Sequence, residues 1–350
     1  MLTASFACAM LRGSKAEICV IGAGVVGLST ALKILSTIPS VRVTIVADKF
    51  LDNTLSFGAG GFFRPEINIG RDRQSIEQWA SDSYEYYSFL ASNEPESGNS
   101  FISGYQLSTY SAESMQNELV TKLTNSVQVM SDDERLKLFP EKFKYGIKWT
   151  SIITDPRHYL PYMQRKIENL GGTFVERHID SFDELSEYDV IVNCTGLQAA
   201  KLANDFRLIP VRGQAFKVVA PWIKHFYFAD GAYVLPGRDY VTVGGIKEFG
   251  SSNMAISQLD SFSIWKRCTE MVPSLQKAEI AFEWVGLRPH RQPVRVEHEC
   301  YRLSDGTVRD IVHNYGHGAH GITLSWGTAT EATDLIRDSL SHKAKLKSKL

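Results

Sequence analysis

The run Glu17-Ile-Cys-Val-Ile-Gly-Ala-Gly-Val-Val-Gly-Leu-Ser29 constrains this chain more than any other stretch. Ile18 to Ile21 reads as a short buried strand. Gly22, Gly24 and Gly27 then fall in the pattern G-x-G-x-x-G, with Ala23, Val25 and Val26 between them. A helix pattern follows at once, carried by Val26, Leu28, Ala31, Leu32 and Leu35. In a dinucleotide fold the first glycine allows the tight turn. The second lets a pyrophosphate approach the backbone, and the third lets helix and strand pack closely. The helix start offers free N–H groups and a positive dipole end to the phosphates. A second strand, Val41 to Ala47, ends at Asp48, roughly 20 residues past the glycines, where a carboxylate meets a ribose hydroxyl. A glycine turn alone is weak evidence; strand, motif, helix, strand and terminal acid in that order predict a bound dinucleotide. This local signal does not separate NAD from FAD.

The 350 residues allow one large or two modest domains and a sizeable core. With 43% hydrophobic and 22% charged residues, the composition is that of an ordinary globular protein. A net charge of -1 gives no overall field toward nucleic acid or an anionic membrane. No apolar run reaches the roughly 18 residues of a membrane span. The 5 cysteines, Cys8, Cys19, Cys194, Cys268 and Cys300, form no C-x-x-C pair. They are expected to be reduced, with Cys19 and Cys194 in buried strands. Ser348-Lys349-Leu350 reads as the receptor-read peroxisomal address, and so predicts an import receptor as partner and the peroxisome matrix as location. The competing reading is a lysine-rich tail. Leu2 to Leu11 lacks the charged leading segment of a secretory signal, so 1–14 is expected to be a disordered lead-in.

After Asp48 comes a glycine-dense segment, with Gly58, Gly60 and Gly61, ending at Arg64-Pro65. Arg64 reads equally as a surface arginine stacked on Phe62 or Phe63, or as an anion-binding arginine. Ile76 to Leu90 is an aromatic-rich packing helix, and Phe101 to Tyr110 a strand. Ser111 to Leu123 and Ser131 to Phe139 read as helices, the latter capped by Ser131 with Glu134 three residues on. Trp149 to Ile153 is a strand, Tyr159 to Leu170 a helix stopped by Gly171-Gly172, and Tyr188 to Gly196 a parallel strand with its turn. From Ile209 to Gly250 the pattern is β-rich and mostly antiparallel. Ser257 to Met271 is helical, and Ala278 to Val285 is a strand. His313 to Thr323 reads as a second glycine-rich loop, with a closing helix from Trp326 to Leu340.

Several of these blocks together resemble the D-amino acid oxidase and D-aspartate oxidase family. They are Val20 to Leu32, Val192-Asn-Cys-Thr-Gly196, Arg212-Gly-Gln214, Ala220-Pro-Trp222, Tyr233-Val-Leu-Pro-Gly237, Val243-Gly-Gly245, Val285-Gly-Leu-Arg-Pro289 and His313-Asn-Tyr-Gly-His-Gly318. Order and spacing match from about Glu17 to the C-terminal tripeptide. The resemblance implies an α/β fold, with a discontinuous Rossmann-like FAD-binding domain (15–61, 149–208 and 279–345). Beside it stands a substrate domain (62–148 and 209–278) with a large, mostly antiparallel curved β-sheet, and a tail at 346–350. The implied cofactor is FAD. The implied reaction takes a D-amino acid and O2 to a 2-oxo acid, ammonia and hydrogen peroxide by hydride transfer from Cα. No side-chain base on Cα–H is implied.

Residue roles follow from the same resemblance. Arg288 matches the arginine that holds the substrate α-carboxylate, for which a planar guanidinium is suited. Tyr233 matches a tyrosine helping that carboxylate, and Gly318 to Ala319 the site of a carbonyl that receives the ammonium. Gly22, Ala23, Gly24, Val25, Val26, Gly27, Asp48 and Lys49 meet the ADP half of FAD. Thr54, Ser56, Gly60, Gly61, Ile179, Gly196, Arg288, Gly318, Ala319, Gly321, Ile322 and Thr323 line the remainder. One departure stands out. The second active-site tyrosine usual in D-amino acid oxidases falls at Ala229, four residues before Tyr233.

An acidic substrate brings a second carboxylate, which is costly to bury unpaired. Arg64, Lys247 and Arg238 stand near pocket positions of the family and are the candidate partners. The sequence therefore favours D-aspartate and D-glutamate, with neutral D-amino acids as the alternative. An NAD-linked dehydrogenase and a non-catalytic dinucleotide-binding scaffold are the readings from other classes. The first purifies colourless, and the second is yellow but releases no peroxide.

Overall fold

Ile18 and Val20 of β1 (Ala16–Ile21) face one side of a sheet, and Cys19 and Ile21 face the other. All four are 2% exposed or less, so both faces of this strand are covered. An unbroken apolar run is what a strand buried on both faces requires. The computed structural model describes residues 15–347. The expected lead-in 1–14, with Cys8, and Ser348-Lys349-Leu350 lie outside the described residues.

The strands after β1 are β2 (Val41–Ala47), β3 (Asn99–Ser108), β4 (Gln128–Val129), β5 (Tyr145–Thr154), β6 (Thr173–Glu176), β7 (Val190–Asn193), β8 (Ile209–Val219), β9 (Phe226–Ala229), β10 (Ala232–Pro236), β11 (Val241–Gly244), β12 (Glu248–Phe249), β13 (Glu279–Arg302) and β14 (Val308–His317). The helices are α1 (Val25–Thr37), α2 (Arg73–Asn93), α3 (Glu118–Thr124), α4 (Asp132–Leu138), α5 (Pro156–Asn169), α6 (Ala199–Leu202), α7 (Gln258–Met271) and α8 (Gly321–Lys347).

Among the described residues the strands join in one sheet, in the order β4-β5-β3-β9-β10-β11-β8-β13-β14-β7-β1-β2-β6, with β12 on β8. From β14 to β6 every pairing is parallel. From β13 to β10 every pairing is antiparallel. The 24-residue β13 belongs to both parts. As far as His290 it pairs with β8, and from Arg295 it pairs with β14 after a register shift. The expected α/β class and large antiparallel sheet are therefore present.

Helices α1, α2, α5 and α8 cover one face of the parallel part, through Leu28, Trp79, Leu160 and Leu324. Phe182, Leu185 and Leu202 cover the other. In the antiparallel part, Phe216, Val234 and Val243 turn toward Ile264, Cys268 and Met271 of α7. The opposite face carries Trp149, Phe226, Phe228 and Tyr233, and of these Phe228 and Tyr233 line a large cavity.

Several boundaries differ from those expected. Helix α2 lies in the segment expected to serve the substrate domain. Yet its Ile76, Trp79 and Tyr87 sit in the core of the parallel part, and Trp79 Nε1 donates to Glu331 of α8 at 2.6 Å. The strand expected to stop at Val285 runs on through Arg288. His313 to His317 is strand rather than loop, because its residues pair with β13 and β7. Ser111 to Leu123 splits into a turn at Glu113–Met115 and α3, with Asn117 accepting from Val120 N–H at 3.0 Å. Ser131 caps α4 by accepting from Glu134 N–H at 3.2 Å, but the Glu134 carboxylate turns to Lys148. Burial pushes the thiols of Cys19, Cys194 and Cys268 up to about 12, which fits inert thiols.

His313 and His317 of β14 are 1% and 3% exposed. Burial holds them neutral, at about 4 for His313, with Arg295 adding to the effect, and at about 3 for His317. The unfolded chain takes up protons there below about 6.5, while the folded chain does not. Stability is therefore full above about pH 6.5 and falls toward pH 4, by about 2 kcal/mol per histidine at pH 5. Urea midpoints at pH 7 and pH 5 measure this; equal midpoints contradict it.

Candidate active site

The turn that ends β1 holds Gly22 at φ +106°, where a Cβ would lie 2.5 Å from Cys194 O. A Cβ on Gly27 would overlap the Gly22 carbonyl oxygen. Both positions thus require glycine for backbone reasons. The result seats the N-terminus of α1 directly on the strand end. That N-terminus has no side-chain cap at Gly24. Its Val25 N–H donates to Ser56 Oγ at 3.0 Å, which ties the glycine-dense segment to it.

These groups form one end of a cavity of about 840 Å³. Asp48 and Lys49 stand beside them, at the end of β2. The cavity continues past Gly60, Gly61 and Gly196 to Tyr233, Thr242 and Arg288 on the antiparallel part, and to Gly318 at the end of β14. Such a volume suits a cofactor with its substrate. Of the residues expected to meet FAD, Gly22, Gly24, Val25, Val26, Asp48, Lys49, Thr54, Ser56, Gly60, Gly61, Ile179, Gly196, Arg288, Gly318, Ala319, Gly321, Ile322 and Thr323 line it. Ala23 and Gly27 do not: Ala23 is 3% exposed and packs into the core, and Gly27 is covered by the Gly22 carbonyl. The open glycine turn and the helix start beside it fit a dinucleotide pyrophosphate. Asp48 is half exposed in the wall, with His178 Nδ1 3.4 Å from its Oδ2. Arg177 and His178 also line the cavity; no periodicity or motif marks them in the sequence.

At the other end Arg288 donates only to backbone, to Ile246 O at 3.1 Å and Arg212 O at 3.4 Å. No carboxylate lies within 4.0 Å of it among the described residues. Its guanidinium lies directly over Gly213, where any Cβ would overlap it. Tyr233 lies over Gly244 in the same way. Burial pushes the Tyr233 phenol up, while the neighbouring Arg288 charge pulls it down. Tyr233 and Arg288 are thus brought together in the wall.

Arg64 and Lys247 also line the cavity. Both reach toward one carboxylate, Glu66, which the sequence reading missed. Arg64 Nη1 is 3.5 Å and Lys247 Nζ 3.9 Å from Glu66 Oε1. His320 Nε2, also in the wall, is 3.5 Å from Glu66 Oε2. These contacts hold the Glu66 carboxyl down at about 2, His320 most of all. Arg64 Nε has no hydrogen-bond partner, and its guanidinium faces the Phe228 ring at 5.8 Å. Burial pulls the Arg64 value down, and Glu66 opposes that.

Arg238 corrects an expectation. Its N–H donates to Asp155 Oδ2 at 2.8 Å and its guanidinium reaches Pro95 O, outside the cavity. The Pro236-Gly237 turn carries it away from the face that Tyr233 presents. Ala229 also lies off the cavity, buried in the core cluster behind the sheet, and Phe228 fills the adjacent wall. Behind the wall Lys217 Nζ donates to Thr242 Oγ1 at 2.9 Å and Ala59 O at 3.2 Å, and burial lowers it to about 8.

Comparison with known proteins agrees with this geometry. The model of a family described as DAO, FAD dependent oxidoreductase, matches residues 17–335. The chain is 36% identical to the D-aspartate oxidase of Homo sapiens over 330 residues, which is 92% of this chain and 95% of that protein. It is 35% identical to the D-amino acid oxidase of Dugesia ryukyuensis, over 94% of this chain and 100% of that protein. Among solved structures it superposes on glycine oxidase from Geobacillus kaustophilus with a TM-score of 0.74, at 18% identity, covering 92% and 95% of the two chains.

Replacing Gly27 by alanine forces α1 off the end of β1. The expected outcome is purified Gly27→Ala that has lost bound flavin, read as missing visible absorbance, together with a lower Tm. Full flavin content would overturn this account of the glycine.

Proposed function

The chain belongs to the DAO family of FAD-dependent oxidoreductases, and on that premise we propose that it oxidises acidic D-amino acids, D-aspartate and D-glutamate, to 2-oxo acids. The observation that carries the acidic choice is the pair Arg64 and Lys247, two cations in the cavity wall that share the single carboxylate of Glu66. One positive charge is in surplus there, apart from Arg288. A substrate with a second carboxylate supplies the missing counter-charge. The likeness to D-aspartate oxidase of Homo sapiens supports the same choice. Neutral D-amino acids are the second reading, favoured by the similar identity to the D-amino acid oxidase of Dugesia ryukyuensis.

In this reading Arg288 takes the α-carboxylate through its guanidinium, whose Nη1 is braced by the Ile246 and Arg212 carbonyls, and the Tyr233 hydroxyl adds a further donor. A backbone carbonyl at Gly318 or Ala319 accepts from the ammonium. Arg64 and Lys247 take the side-chain carboxylate. Held at both ends, the substrate presents one face of Cα, and a single configuration is selected. When bound, FAD would supply the hydride acceptor for Cα and the two-electron link to O2, with hydrogen peroxide as the product. Water then hydrolyses the imino acid, so D-aspartate, O2 and water give oxaloacetate, ammonia and hydrogen peroxide. Phe228, Leu235 and Trp284 are among the apolar residues of the wall. There, water is scarce and the charge contacts strengthen.

Magnitudes separate the two distal cations. The Arg64 side chain is 25% exposed, and losing one partner of a mostly buried charge pair costs roughly 2–5 kcal/mol. Arg64→Ala should therefore lower kcat/KM for D-aspartate roughly 30-fold to several thousand-fold. Lys247 is 56% exposed, and solvent screening limits its share to under about 1 kcal/mol, a loss of about fivefold or less. D-alanine should be affected far less by Arg64→Ala. Peroxide release assays with both substrates decide this, and equal losses on both would refute the acidic assignment. Gly213→Ala, which displaces the Arg288 guanidinium, should impair every substrate alike while flavin absorbance stays intact. A selective loss on one substrate would contradict the common role given to Arg288.

A further inference from the structure

Glu66 is the one carboxylate within 4.0 Å of the distal cations among the described residues. It lies in the wall of the cavity beside Arg64, Lys247 and His320. Its side chain is 34% exposed, and none of its partners is closer than 3.5 Å. These are loose contacts, longer than a direct charge-assisted hydrogen bond at about 2.7–2.9 Å. Glu66 thus offsets one of the two positive charges without saturating the donors of either cation. Arg64 Nε in particular has no partner.

From this we infer that Glu66 is a specificity-determining residue: a resident counter-ion that competes with the substrate's side-chain carboxylate for Arg64 and Lys247. The inference rests on the acidic reading above. An incoming carboxylate has to share both cations with Glu66 and bears the repulsion of a like charge beside it. When the substrate side chain is neutral, Glu66 keeps the cations paired, and their desolvation goes uncompensated to a smaller degree. The same residue therefore weakens acidic substrates and makes room for uncharged ones. The expected substrate range is graded, acidic first and neutral second, rather than exclusive.

The test is Glu66→Gln in the FAD-loaded enzyme, with Glu66→Asp as the conservative variant. Two ligands are titrated by the change in flavin absorbance: malonate, which carries two carboxylates, and butyrate, which reaches only one. In Glu66→Gln the malonate Kd should fall on the order of tenfold, since removing a like charge from beside a bound anion has effects of this size. Butyrate should shift much less, and Glu66→Asp should stay close to wild type for both. In parallel, the ratio of kcat/KM for D-aspartate over D-alanine should rise by a similar factor. Malonate binding that is unchanged or weaker in Glu66→Gln overturns the inference and makes Glu66 a brace for Arg64 and Lys247. If wild type neither oxidises D-aspartate nor prefers malonate to butyrate, the acidic reading itself fails and this inference goes with it. If wild type does both and Glu66→Gln leaves the ratios alone, only the inference about Glu66 fails.

Discussion

The site hangs from a backbone contact. Gly27 sits so close to the Gly22 carbonyl that no side chain fits between them, and this fixes the start of α1 on the end of β1. Everything the cavity offers to a pyrophosphate follows from that seat. The helix start faces the cavity with no cap from Gly24 and with Val25 N–H on Ser56 Oγ, and it carries a fraction of a positive charge at its N–H groups. The same device recurs at the other long helix. A Cβ on Gly327 of α8 would overlap the backbone of Trp79 of α2. The close approach lets Tyr87 of α2 donate to Ile322 O at 2.6 Å, inside the first turn of α8. A helix that the sequence assigned to the substrate side thereby holds the start of α8, which lines the cofactor cavity.

Arginines in this protein divide into two kinds by their partners. Arg212 is 1% exposed and fully engaged, with Asp260 at 2.7 Å, Gln214 at 2.7 Å and two backbone carbonyls at 2.8 Å. Arg291, 3% exposed, is paired with Asp205 at 2.5 Å. Both are scaffolding, and breaking either pair would strand a buried charge. Arg288 stands on the same strand as Arg291, yet it has carbonyls alone. A guanidinium in a cavity wall without a carboxylate is a standing demand for an anion. Arg64 makes a weaker version of the same demand, because Glu66 answers it only in part.

The sequence was most legible where a backbone rule spoke. The glycine spacing, the apolar run of β1 and Asp48 just past the end of β2 mark the dinucleotide end, because steric limits on glycine and period-2 burial are local. It was least legible where function depends on a meeting of distant residues. Glu66 follows Pro65 in an irregular stretch and has no periodicity to betray it. Only the fold brings it to Lys247 and His320. Arg238 misled for the opposite reason: two residues past the β10 strand, its direction depends on a turn whose geometry the sequence did not reveal. His313 to His317 carries glycine like a loop, yet it continues the strand, with His313 paired on both sides and Asn314, Tyr315 and His317 paired with β13. Glycine there serves a strand irregularity: Gly316 has φ +95°, and a Cβ on it would lie 2.7 Å from Arg291 Cβ.

The substrate end obeys a rule of its own, in which large side chains lean over glycines of neighbouring strands. Tyr233 of β10 lies over Gly244 of β11, its direct cross-strand partner. Arg288 lies over Gly213 of β8, and Trp284 over Gly286 of its own strand and over Gly58. Cross-strand neighbours on one face stand about 4.5–5.5 Å apart, close enough for a bulky group to cover a bare backbone. Glycine in a strand interior ordinarily weakens it. Here the covering side chains restore the lost packing and are themselves held flat against the sheet. The functional groups thus gain fixed positions from the sheet rather than from a loop. Because β13 carries Arg288 and continues, past a register shift, into the parallel part beside β14, Arg288 and the parallel part are joined by one strand. The position of Arg288 relative to the parallel part is therefore set by strand register.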